Sequence, residues 1–344
     1  MEEKYLLEIC NPKQWKTIPK SQLLENGKFP VYGANGIIGR YNEYNHEKPT
    51  VLITCRGATC GNIHITVPKA YINGNAMALD NLNEIICKKE YLYYFLQYYD
   101  MSKIISGTAQ PQITITGLKK VKVKLYSINK QEEIVNELNK INKLIELKER
   151  QLEELQKLIK SQFVEMFGIP FLNDKNWKHG IIKDLVREVK YGTSKPANGG
   201  KYKYLRMNNI TYDGKLDLRE IKYIDIEESD KEKYLTKNGD ILFNRTNSKE
   251  LVGKTCVFDV EEEMIIAGFI IRVRVNDFAN PYFISEYLNT VYLKDKLRNM
   301  CKDASGQSNI NAKELQNIKI YIPPITLQNQ FSEIVKQIDK QKFE

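Results

Sequence analysis

The chain has 344 residues, 42% apolar and 10% aromatic, enough for two or three packed domains and against wholesale disorder. Lys and Arg (52) outnumber Asp and Glu (43), a net charge of +9 that favours a polyanionic partner such as nucleic acid. The longest apolar run, Met264–Ile271, is far short of the roughly 20 residues of a membrane span, and the acidic start MEEKYLLEIC lacks a secretory core, so a soluble, cytoplasmic protein without a membrane partner is expected.

Residues 11–16, NPKQWK, and 173–178, NDKNWK, share the frame Asn-x-Lys-x-Trp-Lys and hold the only two tryptophans, which suggests a long internal repeat. In the first half, FPVYGANGIIGRYNEY (Phe29–Tyr44) carries Gly33, Gly36 and Gly39 in neither a GxGxxG nor a P-loop pattern, so tight turns are predicted. Strand-like runs follow at Thr50–Gly57 and Asn62–Val67, then a Tyr-rich amphipathic helix over Glu90–Met101 whose aromatic face should pack beneath a sheet. After the loop GTAQPQI, the alternating Val121, Val123 and Leu125 predict a strand.

From Asn129 to Gly168 there is no interior Gly or Pro. Ile134, Leu138, Ile141, Ile145, Leu152, Leu155, Ile159 and Met166 form a heptad seam, widened by Leu144, Leu147 and Leu158 and stopped by Gly168 and Pro170. The second half repeats the order: strands at Asp240–Thr246, Lys254–Phe258 and Ile265–Val275, one helix over Tyr282–Met300, and the loop SGQSNI. Its Ile318, Ile320 and Ile322 match Val121, Val123 and Leu125, and Leu315 and Gln328 match Leu118 and Gln131. A final helix from about Leu327, with Phe331, Val335 and Ile338 at the same spacing, should pair antiparallel with the long one and leave much of its seam for another protein. The fold class is therefore α+β: domains at 1–128 and 169–325, a central coiled-coil helix at 129–168 and a shorter helix at 326–344. By residue count +6 lies in 1–128, −1 in 129–168, +4 in 169–325 and zero in the tail, so basic domains flank a nearly neutral helix.

No catalytic constellation is evident. Three histidines (His46, His64, His179) leave little for acid–base chemistry, the motifs of an adenine methyltransferase are absent, and Glu188-x-Lys190 has the same form as Glu146-x-Lys148 within the helix. The six cysteines form no CxxC pair and should be reduced thiols. Cys55, Cys60 and His64 lack a fourth ligand, so neither a catalytic residue nor a metal site is expected.

The remaining chemistry suits DNA. NRTNSKE (Asn244–Glu250) follows a strand and offers Asn244, Arg245, Asn247 and Lys249, side chains that bridge base edges and phosphates. KYLRMNN adds Lys203, Arg206 and Asn208. In the first half Arg40, Lys48, Arg56, Asn73 and Asn75 lie near Gly-rich turns, and Gln110 and Gln307 occupy the two matching Gln-rich loops.

FPVYGANGIIGRYNEY, LITCRGATCGNI, PPITLQNQFSEIV, the loops GTAQPQI and SGQSNI, and the long helix, in this order and duplicated, resemble the specificity subunit of a type I restriction-modification system over essentially the whole chain. The resemblance implies two target-recognition domains, each binding one half of a split double-stranded DNA sequence, with the helices setting the gap. It further implies a non-catalytic chain that binds no cofactor itself. Two methyltransferase (modification) subunits would dock on the helices and use S-adenosylmethionine, and a restriction/translocase subunit would use ATP and Mg2+. LYSINKQEEI lacks the Pro pair of YIPPITLQNQ, and the final helix is shorter than the family pattern. Other readings are the recognition subunit of a bifunctional restriction-methylation enzyme and a coiled-coil protein-binding adaptor.

Overall fold

The computed structural model describes residues 2–107, 110–301 and 308–342. The chain divides into two compact units, Met1–Leu147 and Lys148–Glu344, with the boundary inside the long helix.

In the first unit β1 (Glu2–Tyr5) leads through a single turn, α1 (Leu6–Ile9), and pairs antiparallel with the last strand, β11 (Lys122–Leu125). The alternation read from Val121, Val123 and Leu125 places all three inward. The main sheet has the order β2 (Asn11–Gln14), β8 (Ala76–Asp80), β5 (Val51–Thr54), β6 (Ile63–Ile65), with antiparallel neighbours throughout. A second sheet sets β3 (Phe29–Gly33) antiparallel to β4 (Gly36–Tyr41) and parallel to β7 (Tyr71–Ile72). The glycine-rich run is the β3–β4 hairpin, and Gly36 takes a φ of +73°, a left-handed turn that favours glycine. The short pair β9 (Ile105–Ser106) and β10 (Gln112–Ile113) precedes α3 (Ile115–Leu118), whose N–H groups are capped by Thr114.

Helix α2 (Lys89–Tyr98) buries Tyr91, Leu92, Tyr94 and Leu96, as its amphipathic pattern predicts. The Tyr91 hydroxyl donates to the Lys124 carbonyl (2.5 Å) and that of Tyr94 to Asn139 (2.6 Å), so these rings are packing elements and not a stacking platform. Helix α4 (Ile128–Phe167) is continuous over 40 residues, and within the first unit Ile134, Val135 and Leu138 join the core.

The second unit repeats this plan. Strand β12 (Lys178–Ile181) pairs antiparallel with the last strand, β22 (Lys319–Ile322). The main sheet runs β13 (Val186–Tyr191), β20 (Ile270–Val275), β16 (Asp240–Asn244), β18 (Thr255–Phe258), all antiparallel. In the second sheet β14 (Tyr202–Leu205) is antiparallel to β15 (Lys222–Ile224) and parallel to β19 (Ile265–Ile266). A ribbon of β17 (Thr246–Asn247) with β21 (Ser308–Asn309) precedes α8 (Ala312–Gln316), capped by Asn311 as α3 is by Thr114. The single helix expected over 282–300 is two, α6 (Pro281–Asn289) and α7 (Val291–Met300), after the small helix α5 (Glu228–Tyr234). Thr290 divides them: its backbone is extended and its hydroxyl accepts from Leu293 N (3.4 Å).

The last helix, α9 (Ile325–Gln341), packs against the C-terminal half of α4 within this unit. Phe331 meets Phe163 and Phe167 at ring distances of 5.5 and 5.4 Å, and Lys342 reaches Gln156 (3.2 Å), which makes the two segments antiparallel. With Phe283 these rings form the centre of the core, each contributing roughly 1.5–3 kcal/mol by burial.

The repeat extends to individual hydrogen bonds. Leu6 N donates to Val121 O (2.9 Å) as Ile182 N does to Ile318 O (3.0 Å), and Asn83 N to Ile9 O (2.8 Å) as Asn276 N does to Leu185 O (3.0 Å). The two tryptophans, however, are not equivalent. Trp15 follows the second strand of its unit and donates to Asp80 (3.0 Å), whereas Trp177 precedes the first strand of its unit and donates to Phe167 O (2.9 Å). Their shared frame is a coincidence of local sequence. The internal repeat is carried by the strands and their closing helices.

Candidate nucleic-acid interface

Each unit gathers its polar loops at the C-terminal end of one central strand, β5 or β16. Thr54 closes β5 by donating to and accepting from the chain at Asn62 and Gly61 (both 2.8 Å). Asn244 closes β16 in the same way with Lys254 and Gly253 (2.8 and 2.9 Å). The next residues, Cys55 and Arg245, are held on both sides. Cys55 N donates to Asn75 O (3.0 Å) and its carbonyl accepts from Ile113 N (3.0 Å); Arg245 N donates to Phe269 O (2.9 Å) and its carbonyl accepts from Ile310 N (2.9 Å). Arg56 then bridges to Gln112 as Thr246 pairs with Asn309. Two dissimilar loop sequences thus hang on one backbone frame.

In the second unit the loops around this frame bring several candidates together. Asn244 is fully buried, its Nδ2 at 3.5 Å from Met207 O, and Lys254 Nζ donates to the same carbonyl (2.8 Å), tying the Arg206–Asn209 turn to the strand end. Burial lowers the Lys254 pKa. Arg206 donates to Glu220 O (3.0 Å), Asn208 is exposed beside it, and Asn247 shapes the following turn by accepting from Ser248 N (2.9 Å). Lys249 stands exposed near the tip of that turn. The Arg245 guanidinium lies 4.8 Å over the Tyr191 ring, and the Tyr191 hydroxyl accepts from Ala312 N (2.8 Å). Asn244 Oδ1, Arg245 Nε and Arg206 Nε are buried without a hydrogen-bond partner among the described residues. Lys203 stands apart on β14, its ammonium 2.6 Å from Glu262, and Gln307 lies outside the described residues.

In the first unit Arg56, Asn75 and Gln110 are exposed and belong to the segments joined at the end of β5. Thr54 and Thr59 donate to Ala34 O (3.0 and 2.5 Å), which adds the β3–β4 turn to the group. Three other candidates are placed differently. Arg40 donates to the Gly27 and Lys28 carbonyls (2.5 and 2.8 Å), bracing the entry to β3. Asn73 is buried and spends its amide on both backbone groups of Ile18 (3.0 and 3.1 Å), because a polar side chain can be enclosed cheaply only when paired. Lys48 is exposed at a cleft that also includes Trp15, His46 and Asp80.

Sequence reading missed Gln14 and Tyr191, which end the edge strands β2 and β13 of the two main sheets and reach the residue after the central strand: Gln14 Nε2 lies 2.9 Å from Cys55 Sγ and 3.1 Å from Gly74 O. Their register is the one signal that finds them, since Gln14 pairs with Met77 and Tyr191 with Ile271 in corresponding ladders.

Chemistry elsewhere is structural. Glu188 accepts from Arg272 (2.6 Å) and Arg274 (3.0 Å), and Arg274 also binds Asp240 (2.8 Å). Burial opposes ionisation of Glu188, but the Arg272 hydrogen bond and the two guanidinium charges hold its pKa below the ordinary carboxylate value. Burial raises the pKa of Cys55 and Cys60, favouring the thiol over the thiolate a metal would need. No group of three or more His, Cys, Asp or Glu side chains able to hold a metal occurs among the described residues, nor is any helix there long and apolar enough to cross a membrane.

A family model described as the type I restriction modification DNA specificity domain matches residues 1–157 and 174–344. The protein of Methanocaldococcus jannaschii designated the type I restriction enzyme MjaX specificity subunit is 30% identical over 170 residues, 48% of this chain and 40% of that protein. The chain thus spans well under half the length of this relative. The MjaVIII specificity subunit of the same organism is 23% identical over 310 residues, 84% of this chain and 72% of that one. A crystal structure of the S subunit of a type I restriction-modification system from M. genitalium shares the fold, with a TM-score of 0.63 at 17% identity, over 99% of this chain and 90% of that chain. With two matched domains that account for nearly all its residues, the chain belongs to the family of type I restriction-modification DNA specificity domains.

Proposed function

We propose that this chain is the non-catalytic specificity subunit of a type I restriction-modification complex and that it reads a bipartite DNA target, one half through each unit. The observation that carries the reading is the repeated frame at the ends of β5 and β16: the same backbone bonds hold Cys55–Arg56 in one unit and Arg245–Thr246 in the other, with Asn75 and Gln110 beside the first and Arg206, Asn208 and Lys249 in the turns beside the second. A common frame with different side chains suits a protein that must recognise two different short sequences. The net charge of +9 suits the phosphate contacts that would anchor both.

In this reading α4, with its seam residues Ile141, Leu144, Ile145 and Leu147 exposed, acts as a coiled-coil spacer and docking rail for methyltransferase subunits. Those subunits methylate adenine with S-adenosylmethionine, a restriction subunit uses ATP and Mg2+, and the complex works in the cytoplasm. The test is binding of the chain reconstituted with its methyltransferase subunits to DNA at graded salt. The log of affinity should fall steeply with log salt while one sequence remains preferred, and methylation should require both components. Salt-insensitive binding without sequence preference, or methylation by this chain alone, contradicts the reading.

A further inference from the structure

The two units place different side chains in one seat. Gln14 and Tyr191 occupy the same register in their ladders, opposite Met77 and Ile271, and each reaches the residue that follows the central strand. In the first unit this makes a neutral pair, Gln14 with Cys55, the amide nitrogen 2.9 Å from sulfur. In the second it makes a cationic pair, Arg245 over Tyr191 at 4.8 Å. The backbone beneath both pairs is held by equivalent hydrogen bonds, so the difference lies in side-chain chemistry and not in the fold.

We propose that the pair in the second unit sets a base preference of that unit, with Tyr191 the positioning residue that orients Arg245 for a guanine. The inference rests on the reading that each unit binds one half-site. An arginine discriminates guanine when its planar fork meets two acceptors at once, which requires the plane to be fixed beforehand. The Tyr191 ring supplies a flat face for the guanidinium, and the ring is itself held, because its hydroxyl accepts from Ala312 N (2.8 Å). The Arg245 main chain is pinned between Phe269 and Ile310, which leaves the side chain as the part that the ring must orient. The first unit carries its charge one residue later, at Arg56, and its seat holds no cation, so its preference there should not depend on an arginine fork.

The experiment compares adenine-methylation maps of cells carrying the full chain and its partner subunits, with Tyr191→Leu, Tyr191→Phe and Arg245→Lys. Tyr191→Leu should relax discrimination at one base position of one half-site by about 5- to 100-fold, leaving the other half-site intact. Tyr191→Phe keeps the flat face but loses the bond from Ala312 N that holds the ring, and should relax the same position by less than Tyr191→Leu does. Arg245→Lys keeps the charge without the fork and should relax the same position while the salt dependence of binding is preserved, so the inference remains testable if the leucine variant does not fold. Unchanged maps for Arg245→Lys or a folded Tyr191→Leu, or equal weakening on all sequences, overturn the proposal. A wild-type complex without any sequence preference would defeat the reading beneath it instead.

Discussion

Gln131 and Gln328 show how a single side chain can close a domain. Both are fully buried near the start of a helix, where a strand has just ended and backbone groups are left without ladder partners. Gln131 accepts from Lys88 N (2.9 Å) and donates to Ile86 O and Tyr126 O (2.8 and 2.9 Å); Gln328 accepts from Asn280 N (2.9 Å) and donates to Phe278 O and Pro323 O (3.2 and 2.8 Å). Gln131→Ala should therefore leave three part-buried backbone groups without this partner and destabilise the first unit by about 1–3 kcal/mol, read as a lower urea midpoint. An unchanged midpoint would show that water replaces the amide. Glu286 behaves oppositely. It is half-buried beside a cavity of about 30 Å3 that Lys215 and Tyr282 also line, and desolvation raises its pKa despite the nearby Lys215, Lys160, Lys294 and Lys342. Because its folded pKa lies above the unfolded value, the ionised carboxylate costs stability at neutral pH. That cost fades as pH falls through the folded value toward the unfolded one. Glu286→Gln should raise the thermal midpoint at pH 7 and have little effect near pH 4; an equal gain at both would assign the effect to packing. The matching glutamines were legible as repeat landmarks. The enclosure of Asn73 was not, because nothing local distinguishes an asparagine that ties down Ile18 from one that faces a ligand.

Among the elements, α4, a helix of 40 residues, was the most legible, because a heptad seam from Ile134 to Met166, broken only at Lys148 and Gln162 and free of Gly and Pro, admits one periodicity. The division of 282–300 at Thr290 was not, since apolar spacing continues across a capping hydroxyl and conceals it. The Trp-Lys frames misled for a related reason: four matches in six residues can arise by chance, whereas the register of a sheet is fixed by its partners. Their positions became clear only once β2 and β13 were seen to be the equivalent strands. The long helix gives the spacing claim its own test. Inserting one heptad between Leu144 and Gln151 preserves the seam and adds about 10 Å, equivalent to roughly three base pairs. The gap between half-sites should lengthen by about one to three base pairs, with both half-site sequences unchanged. An active variant with the original gap would show that α4 is a docking rail and not a ruler.

The whole molecule joins two basic units, +6 over residues 1–128 and +4 over 169–325, through a helix of nearly balanced charge. Family and the repeated plan were readable because the order of loops, strands and closing helices occurs twice; the side-chain pairs beside the central strands were not, because Gln14 and Tyr191 meet their partners only through sheet register. The account stands on two units each reading one half of a split target. Adenine-methylation profiling of otherwise identical cells with and without this chain tests that claim most directly. The account predicts that the chain adds one methylated motif, made of two specific sequences separated by an unspecific gap of constant length. A motif that is contiguous, or methylation that is the same without the chain, would contradict it.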